Sequence, residues 1–202
     1  MKQYNAIVMI VIIVFLSVPL LGQWNVFEKT DEMTGKKSAY CSSPVTPPTN
    51  RMDFPYSDTQ AWLGIGCNGA SEWVYIGFTN SPNLLNTDIQ DGHNDISTRI
   101  KWDDEIKNES FTQTWGAKFI HFENNEIAIQ NIAKSNTLLV ELDWHGSGTI
   151  YFKFKLAGSS AAIAKMRAKC NISPKTPKAK EITPLKPPTF KWDISIKKSV
   201  NK

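Results

Sequence analysis

The chain has 202 residues, 41% apolar and 21% charged, with seven Trp and ten Phe. That supplies a core for one ordinary domain and excludes a chain disordered throughout. The net charge of +4 divides into +1 over residues 1–22, −3 over 23–170 and +6 over 171–202, and a mildly acidic body speaks against nucleic-acid binding by the domain.

Lys2 precedes an uncharged run, residues 6–21 (AIVMIVIIVFLSVPLL), ended by Pro19 and Gly22. A full membrane span needs about 20 residues. Residues 1–23 therefore read as a signal peptide, with retention as a single membrane anchor as the alternative. Both readings place residue 24 onward outside the cytosol, in the periplasm. The three cysteines, Cys41, Cys67 and Cys170, fit that compartment as one pair and one odd thiol. The residues alone leave all three pairings open, with three buried free thiols as the alternative.

Residues 24–27 predict a first strand, 31–35 a turn and 38–43 a second strand. Pro44, Pro47, Pro48 and Pro55 make residues 44–55 an irregular loop. Ala61–Cys67 and residues 71–79 are apolar runs around Asn68-Gly69, a pair that supplies the positive φ angles of a tight hairpin turn. In the second run Trp73 and Tyr75 share one face, and Val74, Ile76 and Phe78 the other. Both faces are apolar, which predicts an interior strand of a two-layer structure. Residues 80–92 form a polar loop. Ile96, Thr98, Ile100 and Trp102 then alternate with Ser97, Arg99 and Lys101, as in a half-exposed strand.

Residues 111–115 and 117–122 predict short strands around Gly116, and Asn125–Lys134 a short helix. Thr137–Trp144 and residues 149–156 form a second hairpin around residues 145–148. Gly158-Ser159-Ser160 caps a helix over 161–170. Ile163, Met166 and Cys170 lie on one face of it, so Cys170 points at the core. The pattern is mainly β: an antiparallel sandwich or small barrel over 24–170 with a C-terminal helix. Residues 171–202 read as a Lys/Pro-rich flexible tail with an apolar island at 190–196. Its positive charge favours contact with an anionic surface.

Gly64-x-Gly66-x-x-Gly69 fits the G-x-G-x-x-G pattern, but that motif opens a helix and here a strand follows. Asp88, Asp91 and Asp95 around Gly92 lack the spacing and closing Glu of a calcium loop, and read as a solvated acidic loop. His121 and Glu123 share a strand face suited to zinc. No H-x-x-x-H or C-x-x-C accompanies them, and His93 and His145 stand apart. Cys41 has only Lys36 and Lys37 nearby to lower its pKa, and no G-x-S-x-G elbow occurs. No catalytic, cofactor or metal residue is assigned, and the chain reads as a non-enzyme. Among Trp24, Trp62, Trp73, Trp102, Trp115, Trp144 and Trp192 most belong in a core. One or two left exposed would mark a binding surface for protein or glycan.

The order and spacing of several segments resemble the TagO-like (VasI-like) periplasmic accessory proteins of type VI secretion. Trp24-x-Val26 follows the leader, then come Asp31-x-Met33-Thr34-Gly35, a strand ending in Cys67, and Glu72-Trp73-Val74-Tyr75-Ile76. Arg99-Ile100, Trp115, residues 127–132 and residues 138–142 follow. Phe152-x-Phe154-x-Leu156-Ala157-Gly158 then leads into the helix ending at Cys170. The resemblance covers residues 24–170. It implies a disulfide between Cys67 and Cys170, and a non-catalytic accessory or binding role in the envelope. The implied partner is another envelope protein, a secretion-system component among the candidates. Cys41, the proline loop and the tail depart from the family pattern. Three rival readings remain. One is a periplasmic inhibitor of a lytic enzyme such as lysozyme, with loop 80–92 entering the cleft. Another is a phage- or plasmid-encoded exclusion factor anchored by residues 6–21. The third, an envelope hydrolase, requires carboxylates or Cys41 to converge in a pocket.

Overall fold

The computed structural model describes residues 24–69 and 71–170. The expected leader (1–23) and tail (171–202) lie outside the described residues. Within them run β1 (Asn25–Thr30), β2 (Lys37–Ser42), β3 (Ala61–Cys67), β4 (Glu72–Phe78), β5 (Thr87–Ile89), β6 (His93–Trp102), β7 (Glu105–Thr114), β8 (Phe119–Phe122), α1 (Asn125–Lys134), β9 (Thr137–Trp144), β10 (Gly148–Lys155) and α2 (Ser159–Lys169). Among the described residues no helix is long and apolar enough to cross a membrane.

The strands form one antiparallel sheet in the order β1-β2-β3-β4-β8-β7-β6-β9-β10, with β5 paired to β6. The sheet is not closed into a barrel. It turns back on itself, so that Phe78 of β4 meets Trp144 of β9 and Phe152 of β10 at ring separations of 5.6 and 5.5 Å. Two halves thus face one another, as in a sandwich. The proline loop does more than connect. Thr46 bridges to Ala61 and Pro48 to Phe152, and the Thr49 N–H donates to the Tyr151 carbonyl. The segment after β2 therefore follows the start of β3 and then crosses to β10, fastening one half to the other.

Period-two alternation sets the core. Leu138, Val140, Leu142 and Trp144 of β9, and Ile150, Phe152 and Phe154 of β10, are all buried. Opposite them lie Leu63, Ile65, Val74, Ile76 and Phe78 in the same cluster. Helix α2 packs on β1, β2 and β3, and α1 packs on β4 and α2. The cap falls within the expected Gly158-Ser159-Ser160 segment, and the helix takes in both serines. Gly158 occupies the N-cap with φ of 88° and makes no side-chain cap bond. The Ser159 hydroxyl instead donates to the Ile132 carbonyl at 2.7 Å, tying the start of α2 to α1.

The Cys67–Cys170 disulfide is formed, with Cα atoms 6.2 Å apart and a sequence separation of 103. Beside it Arg167 of α2 grips Glu72 of β4 through two hydrogen bonds of 2.7 and 2.9 Å. Both links hold the closing helix to the β3–β4 hairpin. Cys41 is the free thiol. Other boundaries shift from the sequence reading: β1 runs on to Thr30, β6 begins at His93 and β7 at Glu105, and Trp115 lies in a turn.

Candidate functional site

The inner faces of β2–β4 and β8 are committed to the core, and β1 adds Val26 to it. Their outer faces are aromatic. The β3–β4 register pairs Trp62 with Gly77, Gly64 with Tyr75 and Gly66 with Trp73. Each aromatic ring lies across the glycine opposite it. A Cβ on Gly77 would come within 2.4 Å of the Trp62 ring, one on Gly64 within 2.3 Å of Tyr75, and one on Gly66 within 2.4 Å of Trp73. Three glycines at these positions therefore let three rings lie down on the sheet.

Upright rings stand at both ends. Phe119 of β8 is edge-on to Trp62 at 84° and to Tyr75 at 86°. At the other end Tyr40 of β2 is edge-on to Trp73 at 77°, and Phe27 of β1 stacks on Tyr40 at 5.2 Å. The result is an aromatic band across five strands, made of two contacting groups, Phe27–Tyr40–Trp73 and Tyr75–Phe119–Trp62. Phe27 is 47% exposed and Phe119 39%. Trp62 and Trp73 are half-buried, and Tyr75 between them is buried. Burial pushes the Tyr75 phenol up. It also holds the His121 imidazole, whose ring lies 6.0 Å from Tyr75, below the ordinary histidine value.

A cleft of about 820 Å³ continues the band past Tyr40, at the turn end of the β3–β4 hairpin. Lys29, Lys36 and Lys37 line it, with Ser38, Asn68 and Ser71. The one carboxylate among its described lining residues, Asp31, accepts from the Thr34 N–H and hydroxyl, both at 2.7 Å, which holds its pKa below the usual value. A smaller cleft of about 360 Å³ lies elsewhere, with Trp115 at its rim, 56% exposed. The Trp115 indole N–H there donates to Asn94 Oδ1 at 3.1 Å.

The residues weighed from sequence fall as follows. Gly64 and Gly66 sit inside β3 under rings, and Gly69 is in the hairpin turn. Asp88 and Asp95 face each other across β5 and β6, and Asp95 lies 3.3 Å from His93. Among the described residues no three His, Cys, Asp or Glu side chains gather to hold a metal. His121 lies in the aromatic band and Glu123 just past the end of β8. Segment 80–92 is not loop throughout: it contains β5, and ahead of that strand the His145 N–H donates to the Asn83 carbonyl and the Leu85 N–H to that of Asp143.

Cys41 faces the core, away from Lys36 and Lys37, and is fully buried. Burial pushes its thiol up to about 12, with a further push from Glu72 and a partial offset from Arg167. Trp24, Trp102 and Trp144 are core residues. The sequence places Trp73 and Tyr75 on one face of a strand and Trp62 only in the tryptophan set, and nothing in it singles out Phe27, Tyr40 or Phe119. The alternation of Gly and aromatic residues in β3 and β4 was the available signal. No family model, curated protein or solved structure matches this chain.

Proposed function

We infer that the protein is an exported, non-catalytic binding protein of the bacterial envelope, of the accessory type that its sequence resembles in type VI secretion. One observation carries the reading. The outer face of the β1–β4 and β8 half is aromatic and partly open to solvent, where a sheet face turned to water is ordinarily polar. Such a face suits adhesion to another envelope component. The disulfide supports an oxidising compartment, as does the leader pattern of residues 1–23.

Location is tested by counting thiols in protein taken directly from its native cell. Recovery in the periplasmic fraction, with one alkylatable thiol after denaturation, agrees with the reading. Three thiols on protein from the cytoplasmic fraction overturn it. The secretion role is tested by deleting the gene and measuring effector release. Lost release that wild type restores and a Trp62→Ala/Trp73→Ala variant does not restore supports the role. Unchanged release removes it.

A further inference from the structure

We propose that the aromatic band and the adjoining lysine cleft together bind an acidic polysaccharide. The proposal rests on the binding-protein reading above and names its ligand class. Three features of the face converge on that chemistry.

The first is the posture of the rings. Trp62, Tyr75 and Trp73 lie across glycine Cα positions, so they form a floor, in which the half-exposed Trp62 and Trp73 rings are the parts open to solvent. Protein anchors enter pockets between side chains, and this face offers planes instead. A pyranose ring presents a plane of C–H bonds on one side. That plane packs on the electron-rich face of an aromatic ring. The upright Phe119 and Tyr40 close the floor at its two ends.

The second feature is spacing. The Trp62–Gly77 and Gly66–Trp73 pairs are four residues apart along the hairpin, or about 13 Å at the rise of a β-strand. Two half-exposed indoles at that separation, with the buried Tyr75 between them, suit a chain of sugars and exceed the reach of a single one.

Charge is the third. Among the described residues Lys29, Lys36 and Lys37 take part in no ion pair. Asp31, the only carboxylate among the described residues that line the cleft, is turned to Thr34. The cleft thus offers a surplus of ammonium groups where the floor ends. Compact point charges of this kind match carboxylate or phosphate groups on a flexible polymer. Ser38, Asn68 and Ser71 supply hydroxyl and amide groups for sugar hydroxyls.

The test is calorimetric titration of the full-length protein with alginate, a linear polyuronate. Hydroxyethyl cellulose, polyglutamate and phosphatidylglycerol vesicles serve as comparison probes. The tail is unchanged in every variant, so its attraction to anions is a common background. Alginate should bind, and more weakly as salt rises. Trp73→Ala should weaken it at least tenfold, and Trp73→Phe much less. Lys36→Gln/Lys37→Gln should also weaken it at least tenfold, with an unchanged near-ultraviolet dichroism spectrum that excludes misfolding.

Absence of alginate binding overturns the proposal, as does alginate binding indifferent to Trp73→Ala and to the lysine variant. Equal affinity for hydroxyethyl cellulose overturns its acidic part. Polyglutamate or the vesicles, held as tightly and with the same dependence on Trp73, overturn it in favour of an acidic protein or a lipid surface. Those last results leave the binding-protein reading standing. Effector release fully restored by the Trp62→Ala/Trp73→Ala variant counts against that reading instead.

Discussion

Cys41 and His121 show how far a side chain's chemistry depends on which face of its strand it occupies. Cys41 alternates inward on β2, and its thiol, pushed up to about 12, is ionised in roughly one molecule in ten thousand at about pH 8. Iodoacetamide at that pH should leave the folded protein unmodified and should label Cys41 only after denaturation. Rapid labelling of the native protein would show that the thiol is not held in the core. His121 alternates outward on β8, yet burial among the aromatic rings disfavours its charged form. Its folded pKa lies below the unfolded value of about 6.5, so its stability contribution is complete above that value. The contribution is lost as the pH falls through it toward the folded value. His121→Gln should remove this loss. From about pH 7.5 to 5.5 the variant's melting temperature should fall less than that of wild type, and parallel profiles would refute the assignment.

The β3–β4 hairpin was legible in the sequence because its signals are local. Asn68-Gly69 marks the turn, and the apolar runs on either side have strand length. The β6–β7 hairpin was not read, because its turn is held from a distance. Asp103 takes a positive φ of 49° without being glycine. Its carboxylate accepts from the Asn136 and Thr137 backbone N–H groups at 3.0 and 2.8 Å. No window around residues 102–105 contains those partners. The aromatic band escaped for the same reason, since Phe27, Tyr40, Trp73 and Phe119 come from four strands and meet only once the register is known. The Gly–aromatic pairs carry a prediction of their own. Gly66→Ala places a methyl 2.4 Å from the Trp73 ring, which must lift from the sheet. The expected cost is about 1–3 kcal/mol, the usual range for overpacking, with a changed near-ultraviolet dichroism signal from the displaced indole. An unchanged spectrum and stability would mean that the ring does not lie on this glycine.

At the scale of the molecule, one core serves both halves of the sheet, and the last turn of α2 is fixed to it twice. Glu72–Arg167 joins α2 to β4, and Cys67–Cys170 joins its end to β3. The ion pair is partly exposed, and such pairs contribute modestly. The covalent link is different, because it closes a loop over a sequence separation of 103 residues. In the chain-entropy account a loop of that size removes about 4–5 kcal/mol of denatured-state freedom. Whole domains are stable by only about 5–15 kcal/mol. Cys170→Ser should therefore lower the urea unfolding free energy by about 4 kcal/mol. The single hydrophobic cluster and the Glu72–Arg167 pair remain to keep the variant folded. Cys41→Ala removes one buried sulfur with no bond attached, at a cost of about 1–2 kcal/mol. Wild type under reducing conditions should unfold near Cys170→Ser, while Cys41→Ala should keep its sensitivity to reductant. Equal losses for the two substitutions, or a wild-type midpoint indifferent to reductant, would show that the bridge to α2 does not stabilise the fold.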